Sequence, residues 1–449
     1  MQRNALPSSL CVRNVSVWNA DGTLSGQDVF VEGGRIEAIV PTGARALAPA
    51  GNRAAPGANS LQAEAVIDGH GLALMPAGVD PQVHLRVPGQ PEKETPLTGL
   101  RACVRGAYAA ILNMPNTRPV IDSPESLRQG REEVAAAAAE TGVDVLWSAA
   151  ATMGQAGQRL VDFDALAAAG IAAFTDDGKG VASDALMEQA FAALERLGIP
   201  FLQHAEVPGH GGALAPGPAQ KKLGIAPYPA EAEWRMVERD LAQLRKHPRA
   251  RYHVLHVSTK ETVNLLRAAR REGLRASGEA SPHHLLLTVD DIPADDSSYK
   301  MNPPLRAEED RLALLAALAS GEIDFVATDH APHEPGKKTG NFAEAAFGTT
   351  GLETSLRVLL HLRAQGKLSA ERLVSAFSTK PAEFLGIGDR YGALRSGRPF
   401  HAALIDPDAG PTPIAVGDLE SLSKNNCFLG RPLAGRIVRV FQPRQSWTI

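Results

Sequence analysis

The sequence predicts an α/β protein: a (β/α)8 TIM-type barrel carrying a small β-sandwich domain built from both chain ends. Three observations carry that expectation. Between about Leu74 and Gly392, short apolar runs alternate with amphipathic, Ala- and Leu-rich stretches. The flanks on either side read instead as short strands broken by Gly and Asn/Asp turns. In the middle region, polar residues recur where the apolar runs end. Eight strand–helix alternations over roughly 250–300 residues are what a barrel of this kind needs.

Taken in order, the N-terminal strands are Leu10–Trp18, Gln27–Val31, Arg35–Val40 and Ala65–Ile67. The stretch Thr42–Ser60, rich in Ala, Pro, Gly and Asn and without periodicity, reads as a flexible surface insertion. The expected barrel strands are Leu74–Leu85, Tyr108–Met114, Val143–Ala151, Ile171–Asp176, Pro200–His204, Tyr252–Val257, Leu274–Ala280 and Asp324–Thr328. Helical periodicity covers Pro124–Thr141, Ala185–Arg196, Ala230–Lys246 and Lys260–Glu272, with Asp184 as an N-cap. Ala402–Ile405 and Gly435–Val440 are strand-like again, so both ends can pair into one small domain. The expected division is 1–73 and 392–449 for that domain and 74–391 for the barrel.

Composition narrows the function classes. The chain has 449 residues, 44% of them apolar and 21% charged, as in a soluble globular protein. A net charge of −4 with both signs dispersed offers no basic stripe, so no nucleic-acid partner is expected. Cys11, Cys103 and Cys427 are far apart and form no CxxC motif, which favours a reducing compartment. No signal peptide is read, and no stretch approaches the roughly 20 apolar residues of a membrane span. A cytoplasmic protein is expected.

Residues able to bind metal fall at the C-terminal ends of the expected strands, the catalytic face of such a barrel. Residues 80, 82, 84 and 86 of Asp80-Pro-Gln-Val-His-Leu-Arg86 would project to one side of an extended strand. Further along, the ends read Met114-Pro-Asn-Thr117, Thr175-Asp-Asp-Gly178, His204, His256 and Thr328-Asp-His-Ala-Pro-His333. A single histidine after a strand is usually a satisfied polar group, and an aspartate there is usually a helix cap. Ser281-Pro-His-His284 is read in that structural way. Recurrence is what the bland reading leaves out: His84, Asp177, His204, His256 and Asp329 would gather round one point. Imidazoles and carboxylates without cysteine suit zinc or a similar divalent ion in a catalytic site. Spacing alone leaves Asp176 and Asp177 equally eligible.

These motifs resemble those of dihydroorotases in the amidohydrolase superfamily, specifically the bacterial type with a bridging aspartate. The resemblance covers the whole expected barrel, from the strand before Asp80 to Gly392. It is most specific at His84-Leu-Arg86 with Pro88-Gly89, Lys93-Glu-Thr95, Met114-Pro-Asn-Thr117, Asp176-Asp-Gly178, Met301-Asn-Pro-Pro304 and Thr328-Asp-His-Ala-Pro-His333. It implies His84 and Asp329 on a first zinc ion and His204 and His256 on a second, with Asp177 bridging. It also implies that Arg86, Asn116, Asn302 and His333 bind substrate, helped by backbone groups at Phe347 and Gly348. The implied reaction is reversible hydrolysis of L-dihydroorotate to N-carbamoyl-L-aspartate, in pyrimidine synthesis. A metal-bound hydroxide would attack, with Asp329 as general acid and base. Arg86 offers a planar fork for the substrate carboxylate. Hydantoinases and allantoinases usually carry a carboxylated lysine at the bridging position. Lys179, two residues on, is expected to be exposed.

One position departs from the pattern. The superfamily opens its site with an HxH pair, and this chain has Gln82-Val83-His84. A carboxamide oxygen is a poorer zinc ligand than imidazole nitrogen, so the first ion site is expected to be weakened. Three outcomes are open: coordination through the Gln82 oxygen, a one-metal enzyme, or a catalytically impaired scaffold for aspartate transcarbamoylase. The survival of every other expected ligand and substrate contact favours retained chemistry. Val87 and Phe400-His401 are smaller departures without an assigned mechanism. Pro335–Ala346 reads as a loop over the site, and a homodimer is the default assembly.

Overall fold

The computed structural model describes residues 1–44, 48–49, 62–210, 212–293, 295–339 and 341–449. Most of the stretch expected to form a flexible insertion, residues 45–47 and 50–60, lies outside the described residues.

Eight parallel strands run in chain order round one sheet: Gly78–Val83, Tyr108–Asn113, Asp144–Ala149, Ala173–Phe174, Phe201–Gln203, Tyr252–Val254, Ala276–Ala280 and Phe325–Val326. Tyr108–Asn113 is buried along its whole length, as befits a strand covered on both faces, and its sequence is correspondingly apolar. The last strand meets the first at the catalytic rim. Val83 bridges to His330, and buried Asp80 accepts from the Thr328 backbone N–H at 3.1 Å and from Thr328 Oγ1 at 2.6 Å. Asp80, which shares a strand with Gln82, therefore closes the barrel.

The helices start where the sequence supplies caps. Thr95 and Thr98 form a capping box before Pro96–Arg105, and Ser123 and Ser126 do the same before Pro124–Thr141. One expectation is corrected. Ser183, not Asp184, caps the helix Asp184–Leu197, its hydroxyl accepting from the Leu186 N–H, while Asp184 occupies the first turn. Both residues can cap; the hydroxyl wins because Asp184 already has helical backbone and pairs with Arg239 at 3.1 Å.

The chain ends build one nine-stranded sheet with its own apolar core. Ala402–Asp406 from the C-terminal end pairs with Arg436–Gln442 and with Ala73–Pro76, and Ala73–Pro76 joins Ser9–Asn19 from the N-terminal end. The expected single strand Leu74–Leu85 is thus two. Ala73–Pro76 runs in the end sheet and Gly78–Val83 in the barrel. The change of sheet occurs at Ala77-Gly78, where a Cβ on Gly78 would lie 2.5 Å from the Phe377 ring and 2.7 Å from that of Tyr108. Ending the strand at Val83 also leaves His84 free to turn into the mouth.

Candidate metal centre and active site

The five expected ligands converge. Each sits just past the end of a different barrel strand, so the sheet delivers them to one rim. Three of the residues at that rim, Arg86 (φ 61°), His256 (φ 34°) and Asp329 (φ 49°), have left-handed backbone although none is glycine. Such conformations cost free energy and are held by their surroundings, as is common where side chains are aimed at a site.

Asp177 stands at the centre with its two oxygens facing opposite ways. Oδ2 lies 3.1 Å from His84 Nε2, which is also 3.1 Å from Asp329 Oδ1. Oδ1 lies 3.5 Å from His204 Nδ1 and 3.9 Å from His256 Nε2, and those two nitrogens are 3.0 Å apart. Two sets of donor atoms result, His84–Asp177–Asp329 and Asp177–His204–His256, each within 4.8 Å and each composed of buried residues. Asp176 is turned away: its carboxylate accepts from the backbone N–H groups of Ala151 and Thr152 at 2.9 and 3.0 Å.

The electrostatics call for a cation. Burial works against a charged imidazole at His84, but Asp177 and Asp329 outweigh it and carry its pKa up to about 9. His204 is likewise raised, to about 10, against burial, by Asp177 and Glu206. Burial would raise the Asp177 carboxyl, yet the histidines around it hold it well below the usual carboxylate range. Protons on imidazoles are standing in for positive charge. A divalent ion would supply that charge while drawing on the ring lone pairs, so the donor set fits one.

Gln82 is fully buried beside this cluster. Its Nε2 donates to Asp177 Oδ1 at 3.3 Å, and its Oε1 has no partner. His84 is supported differently. Its Nδ1 faces Asn116 Oδ1 at 2.8 Å, which keeps a proton on Nδ1, so that Nε2 is the nitrogen that would give up its proton to an ion.

A cavity of about 240 Å³ opens over the cluster, lined by the five ligands and by Arg86, Asn116, Asn302, His333, Phe347 and Gly348 among others. Every residue expected to contact substrate borders it. Arg86 is buried and its Nε donates to the Pro332 carbonyl at 3.1 Å. Burial lowers its pKa only to about 10, so it remains a cation at neutral pH. His333 Nε2–H donates to the Phe347 carbonyl at 2.8 Å. Burial and the nearby Arg86 charge bring the His333 pKa down to about 3, leaving a neutral ring. Among the described residues, Arg86 is the one guanidinium or ammonium group lining the cavity, which suits a ligand that carries a carboxylate. A larger hollow of about 770 Å³, near His361, Arg363 and Asp408, contains none of these residues.

Some supporting residues were not foreseen. Glu206 Oε2 faces His204 Nε2 at 3.2 Å and accepts from Asn302 Nδ2 at 2.8 Å. Its signal is slight: it lies two residues after His204. Glu94, in the quoted Lys93-Glu-Thr95 motif, is fully buried, accepts from the Leu422 N–H at 2.9 Å and faces His330 at 3.6 Å. His330 in turn accepts the His84 N–H with its carbonyl at 2.9 Å. Gly89 in the Pro88-Gly89 motif (φ 81°) lies so close to the Arg118 carbonyl that a Cβ would overlap it, at 1.8 Å. Lys179 is exposed and bonds the Gln155 carbonyl, so it does not replace Asp177. Ser281-Pro-His-His284 is structural in its bonding, His284 Nε2 meeting the Pro303 carbonyl at 3.1 Å.

Comparison with known proteins agrees with this geometry. The model of the amidohydrolase family matches residues 73–438. The chain is 41% identical to a dihydroorotase of Staphylococcus epidermidis over 373 residues, covering 82% of this chain and 86% of that one. It is 39% identical to a dihydroorotase of Halalkalibacterium halodurans over 426 residues, 93% of each chain. The chain belongs to the dihydroorotase family. As a member of that family it is a cyclic amidohydrolase. Among solved structures, an L-hydantoinase from Arthrobacter aurescens superposes with a TM-score of 0.83 at 24% identity, over 97% of this chain and 94% of that one. A dihydropyrimidinase from Brevibacillus agri superposes with a TM-score of 0.78 at 22% identity and the same coverage. At that identity the likeness shows the shared fold, a barrel with an end sheet.

Proposed function

We propose that the chain is an active dihydroorotase, interconverting L-dihydroorotate and N-carbamoyl-L-aspartate in pyrimidine synthesis, with the barrel, residues 78–391, as its catalytic unit. The observation that carries this reading is a single buried arginine facing two ion-binding sets that share Asp177. In the proposed assignment His84, Asp177 and Asp329 hold one zinc ion, and Asp177, His204 and His256 hold another. Bound there, zinc supplies Lewis acidity, polarising the ring carbonyl and easing loss of a proton from water.

The protein's own groups do the rest. The Arg86 guanidinium takes the substrate carboxylate and so sets which ring amide lies over Asp329. Neutral His333 and the Gly348 backbone border the same end of the cavity. Asn302 Oδ1 is buried without a partner and offers an acceptor to a ring N–H. Asp329 accepts a proton from the attacking water and returns it to the ring nitrogen as the amide C–N bond breaks. Oxygen goes to the carbonyl carbon and the proton to nitrogen, which gives the open carbamoyl product. Asn116 keeps the His84 proton on Nδ1 throughout.

Gln82 favours a second reading, an impaired chain that serves as a partner of aspartate transcarbamoylase. Intact Asp329, Arg86 and His333 argue against it. Three separate buried thiols fit a cytoplasmic setting, and among the described residues no helix is long and apolar enough to cross a membrane. The test is hydrolysis of L-dihydroorotate by the zinc-loaded chain. Turnover that Asp329→Asn abolishes is expected; undiminished turnover by Asp329→Asn removes that residue from the mechanism.

A further inference from the structure

Glu206 has no role in the reaction as described, and its surroundings are unusual for an acidic side chain. About a quarter of the side chain is exposed, yet among the described residues its only ion-pair partner is the ring of His204. Among the described residues no lysine or arginine pairs with it. One of its oxygens, Oε2, instead receives two groups of the active site: His204 Nε2 at 3.2 Å and Asn302 Nδ2 at 2.8 Å. Asn302 Nδ2 is itself 3.3 Å from His204 Nε2, so the two donors sit side by side on that oxygen.

Both contacts have directional consequences. His204 has two ring nitrogens. Nδ1 points at Asp177 and His256, where an ion would sit. A carboxylate can only accept, so Glu206 holds the ring proton on Nε2 and leaves the Nδ1 lone pair free for an ion. Asn302 could present either end of its amide to the cavity. With Nδ2 committed to Glu206, its Oδ1 is the atom left buried and unpartnered.

We propose that Glu206 is a positioning residue that orients a metal ligand and a substrate contact through one oxygen. It fixes the tautomer of His204 for the Asp177–His204–His256 ion and fixes the amide of Asn302 for a substrate N–H. A carboxylate on the outer nitrogen also raises the basicity of the ligating imidazole, and loss of such partners typically costs about 10- to 100-fold in metal affinity or activity. The inference rests on the proposed metal-dependent dihydroorotase reading and deepens it.

The test uses zinc affinity, measured by competition with a chromophoric chelator, alongside steady-state kinetics with L-dihydroorotate. Glu206→Gln keeps size and removes charge. It should weaken the tighter zinc site about 10- to 100-fold and raise KM, while the metal-free melting temperature stays close to that of the wild type. Glu206→Asp keeps the charge and should bind zinc more tightly than Glu206→Gln. In an Asn302→Ala background, Glu206→Gln should no longer raise KM but should still weaken zinc binding. Wild-type zinc affinity and KM in Glu206→Gln would overturn the inference while leaving the dihydroorotase reading standing, as would zinc binding by the Gln variant tighter than by the Asp variant. A wild-type chain that takes up no zinc would overturn the dihydroorotase reading and this inference with it.

Discussion

Asp177 divides the site into two halves that are built differently. On the side of its Oδ1, His204 and His256 face the carboxylate, and His204 is backed by Glu206, which Asn302 holds in turn. On the side of its Oδ2 stand His84 and Asp329 alone, and Gln82, which occupies the position where the family pattern has a second imidazole, donates its amide to Oδ1. The first half has the charged Glu206 behind its ligand; in the second, the neutral carboxamide of Asn116 meets His84 Nδ1. Two ion sites can thus share one carboxylate and still differ in strength, because affinity depends on ligand type and on what braces each ligand.

The comparison can be broken most severely at the shared residue. Asp177→Asn removes the bridge from both halves and should cost more than the about 100-fold that loss of a supporting group costs, in both zinc binding and turnover. Retention of either ion at wild-type strength would mean the halves do not share it. Single ligand deletions should then be unequal. His256→Ala should empty the stronger half, whereas His84→Ala should leave one zinc per chain, measured by elemental analysis. Equal losses would abolish the distinction. Restoring the missing imidazole should narrow it: Gln82→His should raise zinc content towards two ions per chain. Unchanged content would show that Gln82 already serves as well as histidine.

The smallest expected effect lies outside both halves. His283 and His284 are buried, and burial lowers the pKa of His283 to about 4 and that of His284 well below its usual value. Unfolding lets these rings take up protons near pH 6.5. Their contribution to stability is therefore present above that pH and is lost as the pH falls from about 6.5 towards 4. The melting temperature of the metal-free chain should fall over that range, and His283→Gln should flatten the slope. An unchanged slope in that variant would assign the acid lability elsewhere.

Much of this was legible in the residues. Helices such as Pro124–Thr141 announce themselves by period and by Ser123 before Pro124. The five candidate ligands stood out because barrel strands end where polar residues begin. The strand change at Ala77-Gly78 was not, since Leu74–Leu85 is one apolar run and nothing in its period says which sheet each half joins. Asp176 and Asp177 were indistinguishable by spacing; backbone N–H groups 24 and 25 residues earlier in the chain claim the first. Glu206 was missed because its meaning depends on Asn302, 96 positions away, which only the closed barrel brings to it.

The most direct measurement is a zinc titration of the metal-stripped wild-type chain with L-dihydroorotate hydrolysis followed at each step. Two unequal sites in an active enzyme require hydrolysis to appear on loading, with one equivalent bound tightly and the second more weakly. Two equally tight equivalents would contradict the inequality of the halves, and full loading without hydrolysis would contradict the enzyme.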